Sequence, residues 1–302
     1  MYTKMIEMVE VSPRDGLQNE KTLIATADKV ALVERAIAAG ARRIEVTSFV
    51  NPKAVPQMAD AEGVCEGLPV RDDVTYIGLV MNARGAARAL ATGRIDQLGA
   101  VSVATDTFAM ANQGQTSDGS VDAAKEIIAM ARAAGKSGQV TIGASFGCPF
   151  EGEVAEDRVV AMAVALAEAQ PVEIGLADTI GVGNPAHVAS LVGKIRDAVP
   201  HVPVRVHFHN TRGTGLANVW AAVQAGAVTV DAALGGLGGC PFAPGAAGNV
   251  STEDVVYMLE RAGVRTGLDL SALVSANHWL GDVMQRSLPG MVAKAPPFPK
   301  QA

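Results

Sequence analysis

Short runs rich in β-branched residues alternate with alanine-rich, amphipathic stretches along this chain, and the pattern predicts an α/β fold, a (β/α)8 TIM barrel with extra C-terminal helices. Eight strand-like runs are present, which is the number that closes such a barrel. The length of 302 residues suits one barrel, and the 49% apolar content can fill its core. A doubly wound sheet is the alternative, but no G-x-G-x-x-G motif follows the first strand.

The elements follow in order from the N-terminus. Strands are predicted at residues 6–11, 43–47, 74–79, 98–103, 140–144, 172–176, 204–209 and 229–233. Helices between them are predicted most clearly at residues 27–39, 121–134, 155–169, 185–198 and 216–225. Gly40, Gly135 and Gly226 stand where glycines commonly end helices. Asn184 followed by Pro185 is typical of a helix start.

The C-terminal part and the connections bear on domain organisation. Residues 268–288 are expected to form one or two helices outside the barrel. The apolar tail around Trp279 and Leu280 could form a subunit contact, so we expect a homo-oligomer. No linker-like segment interrupts the chain. We therefore expect a single catalytic domain over residues 1–302, with the barrel at about 5–265 and the helical tail at 266–302.

Composition and charge exclude several classes of protein. A net charge of −6 and a pI near 5.4 argue against a nucleic-acid partner, which would require a basic surface. No run reaches the roughly 18 apolar residues of a membrane span, and the N-terminus lacks the apolar region of a signal peptide. Cys65, Cys148 and Cys240 have the spacing of neither a disulfide framework nor a zinc motif. These features favour the cytoplasm, with neither nucleic acid nor membrane as a partner.

Candidate metal ligands lie where the strands end, because the carboxyl ends of the strands build the active site of such a barrel. His207 and His209 are two residues apart on the seventh strand, so both imidazoles point into the barrel mouth. Asp15, after the first strand, supplies a carboxylate, and Asn249 could add an amide oxygen. This set suits one Mg²⁺ or Mn²⁺ ion. Zinc is less suited, because the chain offers no set of thiolates to complete a tetrahedral site. The alternative is one metal ligand beside one hydrogen-bonded structural histidine.

Three further charged residues lie at the same ends of the strands. Arg14 carries a permanent positive charge that can hold a carbonyl or enolate oxygen, although it could also be a surface arginine. Glu45 and Asp178 are carboxylates in positions that we expect to be buried, where a charge needs a partner. Each is therefore catalytic, hydrogen-bonded to the metal ligands, or ion-paired with Arg14.

A glycine-rich loop follows the last predicted strand. Residues 235–249 contain six glycines and two prolines around one thiol, Cys240, and end at Asn249. A loop of this length in an enzyme is usually functional, although a surface connector with an incidental cysteine is the alternative. Its place after the last strand would let it close over the barrel mouth, carry the thiol to the substrate and exclude water.

The motifs at these strand ends resemble those of the hydroxymethylglutaryl-CoA lyase family of metal-dependent TIM-barrel lyases. The R-D-G-x-Q turn and the H-x-H pair are shared with the wider superfamily, whereas the G-L-G-G-C-P loop is specific to the lyase branch. The matches lie in order between about residues 5 and 265: P-R-D-G-L-Q-N-E at 13–20, E-V-T-S-F-V at 45–50, C-P-F-E-G at 148–152, D-T-I-G-V-G at 178–183 and G-L-G-G-C-P at 236–241.

The resemblance implies a divalent-metal-dependent oxo-acid lyase that cleaves 3-hydroxy-3-methylglutaryl-CoA to acetyl-CoA and acetoacetate, as in leucine degradation and ketone body metabolism. It implies retro-Claisen scission, with Cys240 as the proton donor and Arg14 stabilising the enolate. Asp15 or His207 could also act in the base relay, and the sequence does not separate these two. The implied roles are catalysis by Arg14, Asp15, Cys240, Glu45 and Asp178, substrate binding by Arg14, Gln18 and Ser48, and metal binding by Asp15, His207, His209 and Asn249.

Several loops depart from the family pattern and leave the acyl group of the substrate open. Met110 and Ala111 stand where the family usually has two lysines, and Asn82 lacks the usual preceding proline. Residues 210–213 read N-T-R-G in place of D-T-Y-G. A related 3-hydroxyglutaryl-type or citramalyl-type thioester is therefore an alternative substrate. Two other functions stay open, an acetyl-CoA-dependent condensing synthase of the same superfamily and a non-catalytic metal-binding barrel.

Overall fold

A computed structural model describes residues 5–239 and 248–298 of the chain. Eight parallel strands form a closed barrel, in which each strand pairs with the next and the last pairs with the first. This architecture confirms the predicted fold class. The strands are β1 (Glu7–Glu10), β2 (Arg43–Ser48), β3 (Thr75–Val80), β4 (Gln97–Val103), β5 (Ser137–Gly143), β6 (Ile174–Asp178), β7 (Val204–Phe208) and β8 (Thr229–Ala232).

Helices alternate with the strands and continue past the last one. The predicted helices are all present, and shorter ones that the sequence pattern left unassigned fill the remaining connections. In the described residues they are α1 (Thr26–Ala38), α2 (Ala61–Gly67), α3 (Ala83–Ala91), α4 (Asp106–Gln113), α5 (Ser117–Ala133), α6 (Glu156–Ala167), α7 (Pro185–Ala198), α8 (Gly215–Ala225), α9 (Thr252–Arg261) and α10 (Leu270–Met284).

Local side-chain chemistry sets several helix boundaries as predicted. The Asn184 side chain accepts hydrogen bonds from the backbone amides of Ala186 and His187, both at 3.1 Å, so it satisfies two donors at the start of α7. Gly226 ends α8 with a φ of 105°, in the left-handed region that glycine adopts without strain.

The sixth strand is displaced from its predicted position. It was expected at residues 172–176 and is observed at Ile174–Asp178, paired with β5 through Ile174 and Val140. Val172 extends the apolar run in sequence but lies outside the ladder, 44% exposed. Because of this displacement, Asp178 is the last residue of the strand and lies at the carboxyl-terminal edge of the barrel.

The tail expected outside the barrel contains helix α10, which packs against α1. Its Leu273 and Leu280 side chains are each 1% exposed and belong to an apolar cluster separate from the main core. Burial of a leucine contributes about 1.5–3 kcal/mol, so this contact holds the tail helix firmly. Among the helices of residues 5–239 and 248–298, none is long and apolar enough to cross a membrane.

Candidate active site

The carboxyl ends of the strands surround a cavity of about 860 Å³. Its wall includes Asp15 from the turn after β1, Glu45 from within β2, and His207 and His209 from the end of β7 and the residue after it. Apolar side chains such as Leu79 and polar ones from other strands complete the wall. A concave site at this end of a barrel is where ligands of such folds bind.

A short helical turn, Ser12–Gly16, positions the residues that follow β1. The amides of Arg14 and Gly16 both donate to the carbonyl of Val11, at 3.2 and 3.1 Å. The buried carboxylate of Glu10 accepts the amide of Ser12 at 2.8 Å, so the start of the turn is held from below. Arg14 and Asp15 therefore enter the cavity from a backbone that is fixed by hydrogen bonds.

Asp15, His207 and His209 converge on one point of the cavity. One possible ligand atom from each of the three lies within 4.8 Å of the other two. The Nε2 atoms of the two histidines are 3.8 and 3.9 Å from Asp15 Oδ2. Both imidazoles face the cavity, as the period-two pattern of the strand predicts.

The donor set of this cluster fits a divalent cation. One carboxylate and two imidazoles suit an ion of the Mg²⁺ or Mn²⁺ type whose other positions are open to water or substrate. His209 lies 7% exposed, and its Nδ1 atom has no hydrogen-bond partner in the part of the chain that the structure describes. A cation between Asp15 and the two Nε2 atoms would engage the other side of this ring, so the fit rests on the donor set of the three residues.

Asn249 reaches the same cluster through Asp15. Its Nδ2 atom donates to Asp15 Oδ2 at 2.7 Å and to the carbonyl of Leu237 at 3.0 Å. The amide oxygen and nitrogen are assigned from such hydrogen bonds, so a bound cation would favour the orientation that presents the oxygen. The structure brings Asn249 to the site, and its role as a ligand stays a prediction.

Arg14 bridges the two carboxylates of the site. Its NH1 is 2.6 Å from Asp15 Oδ1, and its Nε donates a short hydrogen bond to Glu45 Oε1. Of the roles expected for Glu45, the structure therefore shows the ion pair with Arg14. Asp178 differs, because its carboxylate accepts the amides of Val182 and Gly183, both at 2.9 Å. It does not line the cavity, although the charge of His207 acts on it.

Burial and mutual charge shift the protonation of these groups. Burial raises the pKa of Asp15, but the charges of Arg14 and the two histidines outweigh it and hold that pKa below its usual value. Burial likewise opposes a charged His207, yet its contacts with Asp231 and Asp15 raise its pKa. Burial and the neighbouring His207 lower the pKa of His209 to about 4, so this ring is neutral at pH 7 and free to act as a ligand.

Burial also shifts the pKa of the two remaining carboxylates. It raises the pKa of Glu45, although the ion pair with Arg14 opposes this shift. It raises the pKa of Asp178 as well, against the two backbone hydrogen bonds that this carboxylate accepts.

The two predicted substrate-binding residues beside Arg14 contact each other. Ser48 Oγ donates to Gln18 Oε1 at 3.2 Å. Gln18 lines the cavity, whereas Ser48 is fully buried behind it. The geometry therefore gives Ser48 contact with Gln18 and leaves Gln18 to face a bound molecule.

Cys240 lies outside the described residues, but both ends of its loop are described. The carbonyl of Gly239 accepts a hydrogen bond from Asn19 Nδ2 at 3.2 Å, and the carbonyl of Gly248 accepts one from the amide of Asn210 at 2.8 Å. Gly238 has a φ of 104°, and a Cβ there would collide with the Asn249 side chain. Glycine is thus required where the loop leaves the site.

Sequence reasoning missed charged residues inside the barrel, among them Asp231 and Arg205. Asp231 on β8 contacts His207, with Oδ2 3.2 Å from Nδ1, and Arg205 on β7 contacts Asp231. A signal was present, because Arg205 precedes His207 by two residues and must share its face. Arg205 lies away from the strand ends, where the residues of such a site are expected.

The fold and the site together define a class of protein, a TIM barrel with a candidate metal site at the carboxyl ends of its strands. The family model described as HMGL-like matches residues 5–280, and the chain belongs to this family. It is an enzyme of the oxo-acid lyase type that acts on CoA esters. The resemblance drawn from the motifs is therefore confirmed.

Several relatives match nearly the whole chain. An (R)-citramalyl-CoA lyase of Chloroflexus aurantiacus is 44% identical over 97% of this chain and 95% of its own length. Hydroxymethylglutaryl-CoA lyase YngG of Bacillus subtilis is 40% identical over 95% of this chain and 96% of its own. A solved HMG-CoA lyase from Acinetobacter baumannii, in complex with coenzyme A and 3-methylmalate, has a TM-score of 0.93 at 39% identity and covers 100% of this chain and 98% of that one.

Proposed function

We propose that this chain is a divalent-metal-dependent lyase that cleaves 3-hydroxy-3-methylglutaryl-CoA, or a close 3-hydroxy-acyl-CoA analogue, to acetyl-CoA and an oxo acid, acetoacetate for the first substrate. The observation that carries the proposal is the convergence of Asp15, His207 and His209 beside Arg14 in the cavity. The names of the relatives, and coenzyme A in one related structure, support an acyl-CoA substrate.

Asp15, His207, His209 and Asn249 are the residues that would hold Mg²⁺ or Mn²⁺. When bound, such a cation polarises oxygens of the substrate that are placed on its open positions. The lowered pKa of Asp15 and the neutral ring of His209 keep both in the protonation state that a ligand needs at pH 7. Asp15 or His207 could also take part in removing the proton of the C3 hydroxyl, and the geometry favours neither.

Arg14 is proposed to stabilise the enolate that forms when the bond between C2 and C3 breaks. A guanidinium that is already fixed in place stabilises a developing oxyanion without reorganisation at the moment of reaction. Glu45 orients Arg14 through its Nε and leaves other donors of the guanidinium for the substrate. Gln18, on the cavity wall, would contact the bound thioester, and Ser48 would position Gln18.

Cys240 is proposed as the acid that completes the reaction. Loss of the C3 hydroxyl proton gives the oxo acid, and the electron pair of the C2–C3 bond passes to the thioester as an enolate. The thiol proton then moves to C2 and forms the methyl group of acetyl-CoA, and the proton removed from the hydroxyl can restore the thiol. A thiol pKa near neutrality suits both halves of this exchange.

The chain's own departures from the family pattern favour a second candidate substrate, a citramalyl-type thioester. Identity to the (R)-citramalyl-CoA lyase is 44%, against 40% to the Bacillus subtilis hydroxymethylglutaryl-CoA lyase. Met81, Asn82 and Asn112 belong to segments that differ from the family pattern, and they line the cavity. These side chains would meet the acyl end of the substrate and leave the cleavage step unchanged.

A product assay tests the proposed function and separates the alternatives. Purified protein with Mg²⁺ is given 3-hydroxy-3-methylglutaryl-CoA or (R)-citramalyl-CoA, and acetoacetate, pyruvate and acetyl-CoA are measured. A lyase releases acetyl-CoA with an equal amount of the matching oxo acid. In a parallel assay the protein is given acetyl-CoA and a 2-oxo acid, and consumption of both would instead indicate a condensing synthase. No turnover in either assay would indicate a non-catalytic barrel.

A further inference from the structure

Arg205 carries a buried positive charge inside the barrel, beneath the proposed metal ligands. It precedes His207 by two residues on β7, so both side chains face the interior. The Arg205 side chain is 2% exposed, and such a charge is stable only beside anionic partners. Its NH1 is 3.3 Å from Asp231 Oδ1, and its Nε is 3.4 Å from Glu173 Oε1.

The neighbouring strand leaves space for this guanidinium. Gly175 on β6 pairs with Arg205 in the barrel register. A Cβ at Gly175 would lie 3.0 Å from Arg205 NH2 and 3.1 Å from its Nε, closer than such atoms normally approach. A side chain at this position would therefore displace the group that holds Asp231.

Asp231 lies between Arg205 and the proposed ligand His207. The register of β7 and β8 pairs His207 with Asp231, and Asp231 Oδ2 is 3.2 Å from His207 Nδ1. An ionised carboxylate only accepts hydrogen bonds, so Nδ1 carries the proton and donates it. In the neutral ring the lone pair is then on Nε2, the atom 3.8 Å from Asp15 Oδ2.

His209 has no comparable support. Its Nδ1 is buried and lacks a hydrogen-bond partner within residues 5–239 and 248–298. Its Nε2 is nevertheless as near to Asp15 as that of His207, at 3.9 Å. The Nε2 atoms of the two histidines are thus at similar distances from Asp15. The histidines differ in that only His207 has a carboxylate that fixes which ring nitrogen carries the proton.

We infer that Asp231, held by Arg205, is a positioning residue that presets Nε2 of His207 for the divalent cation. This inference rests on the proposed metal-dependent function. The pairing continues from Arg205 through Glu173 to Arg43, with 2.6 Å between Arg43 NH2 and Glu173 Oε1, and ends at the half-exposed Glu7. Buried charges of alternating sign therefore hold Asp231 from the opposite end of the barrel.

Metal affinity is the first test, because it does not require turnover. Mn²⁺ is titrated into the metal-free full chain, and the unbound ion is measured by electron paramagnetic resonance. Loss of a group that orients a metal-binding histidine typically weakens affinity about 10- to 100-fold, and we expect this for Asp231→Asn. Glu7→Gln is the matched control, because it removes an acid at the exposed end of the same array and should change affinity less than about twofold.

A second variant covers the case in which Asp231→Asn leaves Arg205 unpaired and the protein fails to fold. Asp231→Asn combined with Arg205→Met removes both charges, which a barrel interior tolerates better than the loss of one. Weak Mn²⁺ binding by this double variant, if it folds, supports the inference. Affinity within twofold of the parent in either folded variant, or equal weakening by Glu7→Gln, overturns it.

The unaltered protein supplies a test that needs no substitution. The ¹⁵N resonances of His207 in the metal-free chain, recorded at a pH where this ring is neutral, report which ring nitrogen carries the proton, and we expect Nδ1. A neutral ring with its proton on Nε2 overturns the inference whatever the variants do. If the unaltered protein binds no Mn²⁺ at all, the proposed metal-dependent function fails, and this result is distinct from equal binding by parent and variant.

Discussion

Asp15 is the residue on which the charges of the site converge, since Arg14, His207 and His209 all approach its carboxylate. This concentration explains why the pKa of Asp15 stays low despite burial. A carboxylate that remains ionised between two imidazoles is suited to hold a cation. The site thus combines a fixed anion with the neutral ring of His209.

His209 provides a direct test of the ligand set at the residue scale. His209→Ala removes one nitrogen from the cluster, so Mn²⁺ affinity should fall by more than about 10-fold, as calorimetric titration would measure. His201→Ala is the matched control, because His201 is exposed and lies outside the cavity. A titration of His209→Ala identical to that of the parent would refute the ligand assignment.

Cys240 provides the corresponding test of the proton donor. Cys240→Ala should lower kcat about 10²- to 10⁴-fold, the usual contribution of a general acid, with Mn²⁺ affinity unchanged. Cys65→Ala serves as the control, because Cys65 is buried on α2 outside the cavity. Unchanged turnover of Cys240→Ala would remove the thiol from the mechanism.

The same scale shows what could be predicted from sequence and what could not. Asp15, His207 and His209 were predictable because strand parity and the barrel rule place them at one end. Asp231 and Arg205 were missed because they lie within strands, where apolar side chains are expected. Their contacts depend on the register in which neighbouring strands pair. The order of residues along the chain does not give this register.

At the scale of elements, α9 supports the base of the glycine loop through a buried acid. Glu253 accepts the amide of Gly235 at 3.1 Å and Asn277 Nδ2 at 2.6 Å, so it joins the turn after β8 to α10. Burial raises its pKa to about 7, although its hydrogen bonds oppose the shift. The folded state therefore keeps this proton at a pH where the unfolded chain has lost it.

This proton predicts a dependence of stability on pH. Between about pH 4.5 and 7 the folded chain binds more protons than the unfolded chain, so the free energy of unfolding falls as pH rises. The full loss is about 3 kcal/mol, and Glu253→Gln should remove it. Urea unfolding of the parent and variant at pH 5 and 7.5 measures the difference.

A surface acid provides the control for this measurement. Glu126→Gln on α5 changes an exposed carboxylate and should leave the slope of the parent intact. An equal pH dependence in Glu253→Gln and the parent would show that Glu253 does not carry the effect.

The presence of the strands and helices was predicted better than their first and last residues. All eight strands were expected, but β6 begins two residues later than its apolar run, because pairing with β5 and not hydrophobicity sets its start. The displacement places Asp178 at the end of β6, where its carboxylate accepts hydrogen bonds from the backbone amides of Val182 and Gly183. Its proposed catalytic role therefore has less geometric support than those of Arg14 and Asp15.

At the scale of the whole molecule, the closed barrel brings distant parts of the sequence to one cavity. Asp15 and Asn249 are 234 residues apart and share a hydrogen bond of 2.7 Å. Assignment of residues 1–302 to a single domain and association into a homo-oligomer stay predictions. The cytoplasmic location does too.

The central claim is that this cavity, loaded with a divalent cation, breaks a carbon–carbon bond of a CoA thioester. The most direct measurement is acetyl-CoA and oxo acid formed from 3-hydroxy-3-methylglutaryl-CoA and (R)-citramalyl-CoA, by protein stripped with a chelator and by the same protein reloaded with Mn²⁺. We expect equal amounts of both products from at least one thioester, only after reloading. No cleavage of either thioester by the reloaded protein, or the same rate without metal, would contradict the claim.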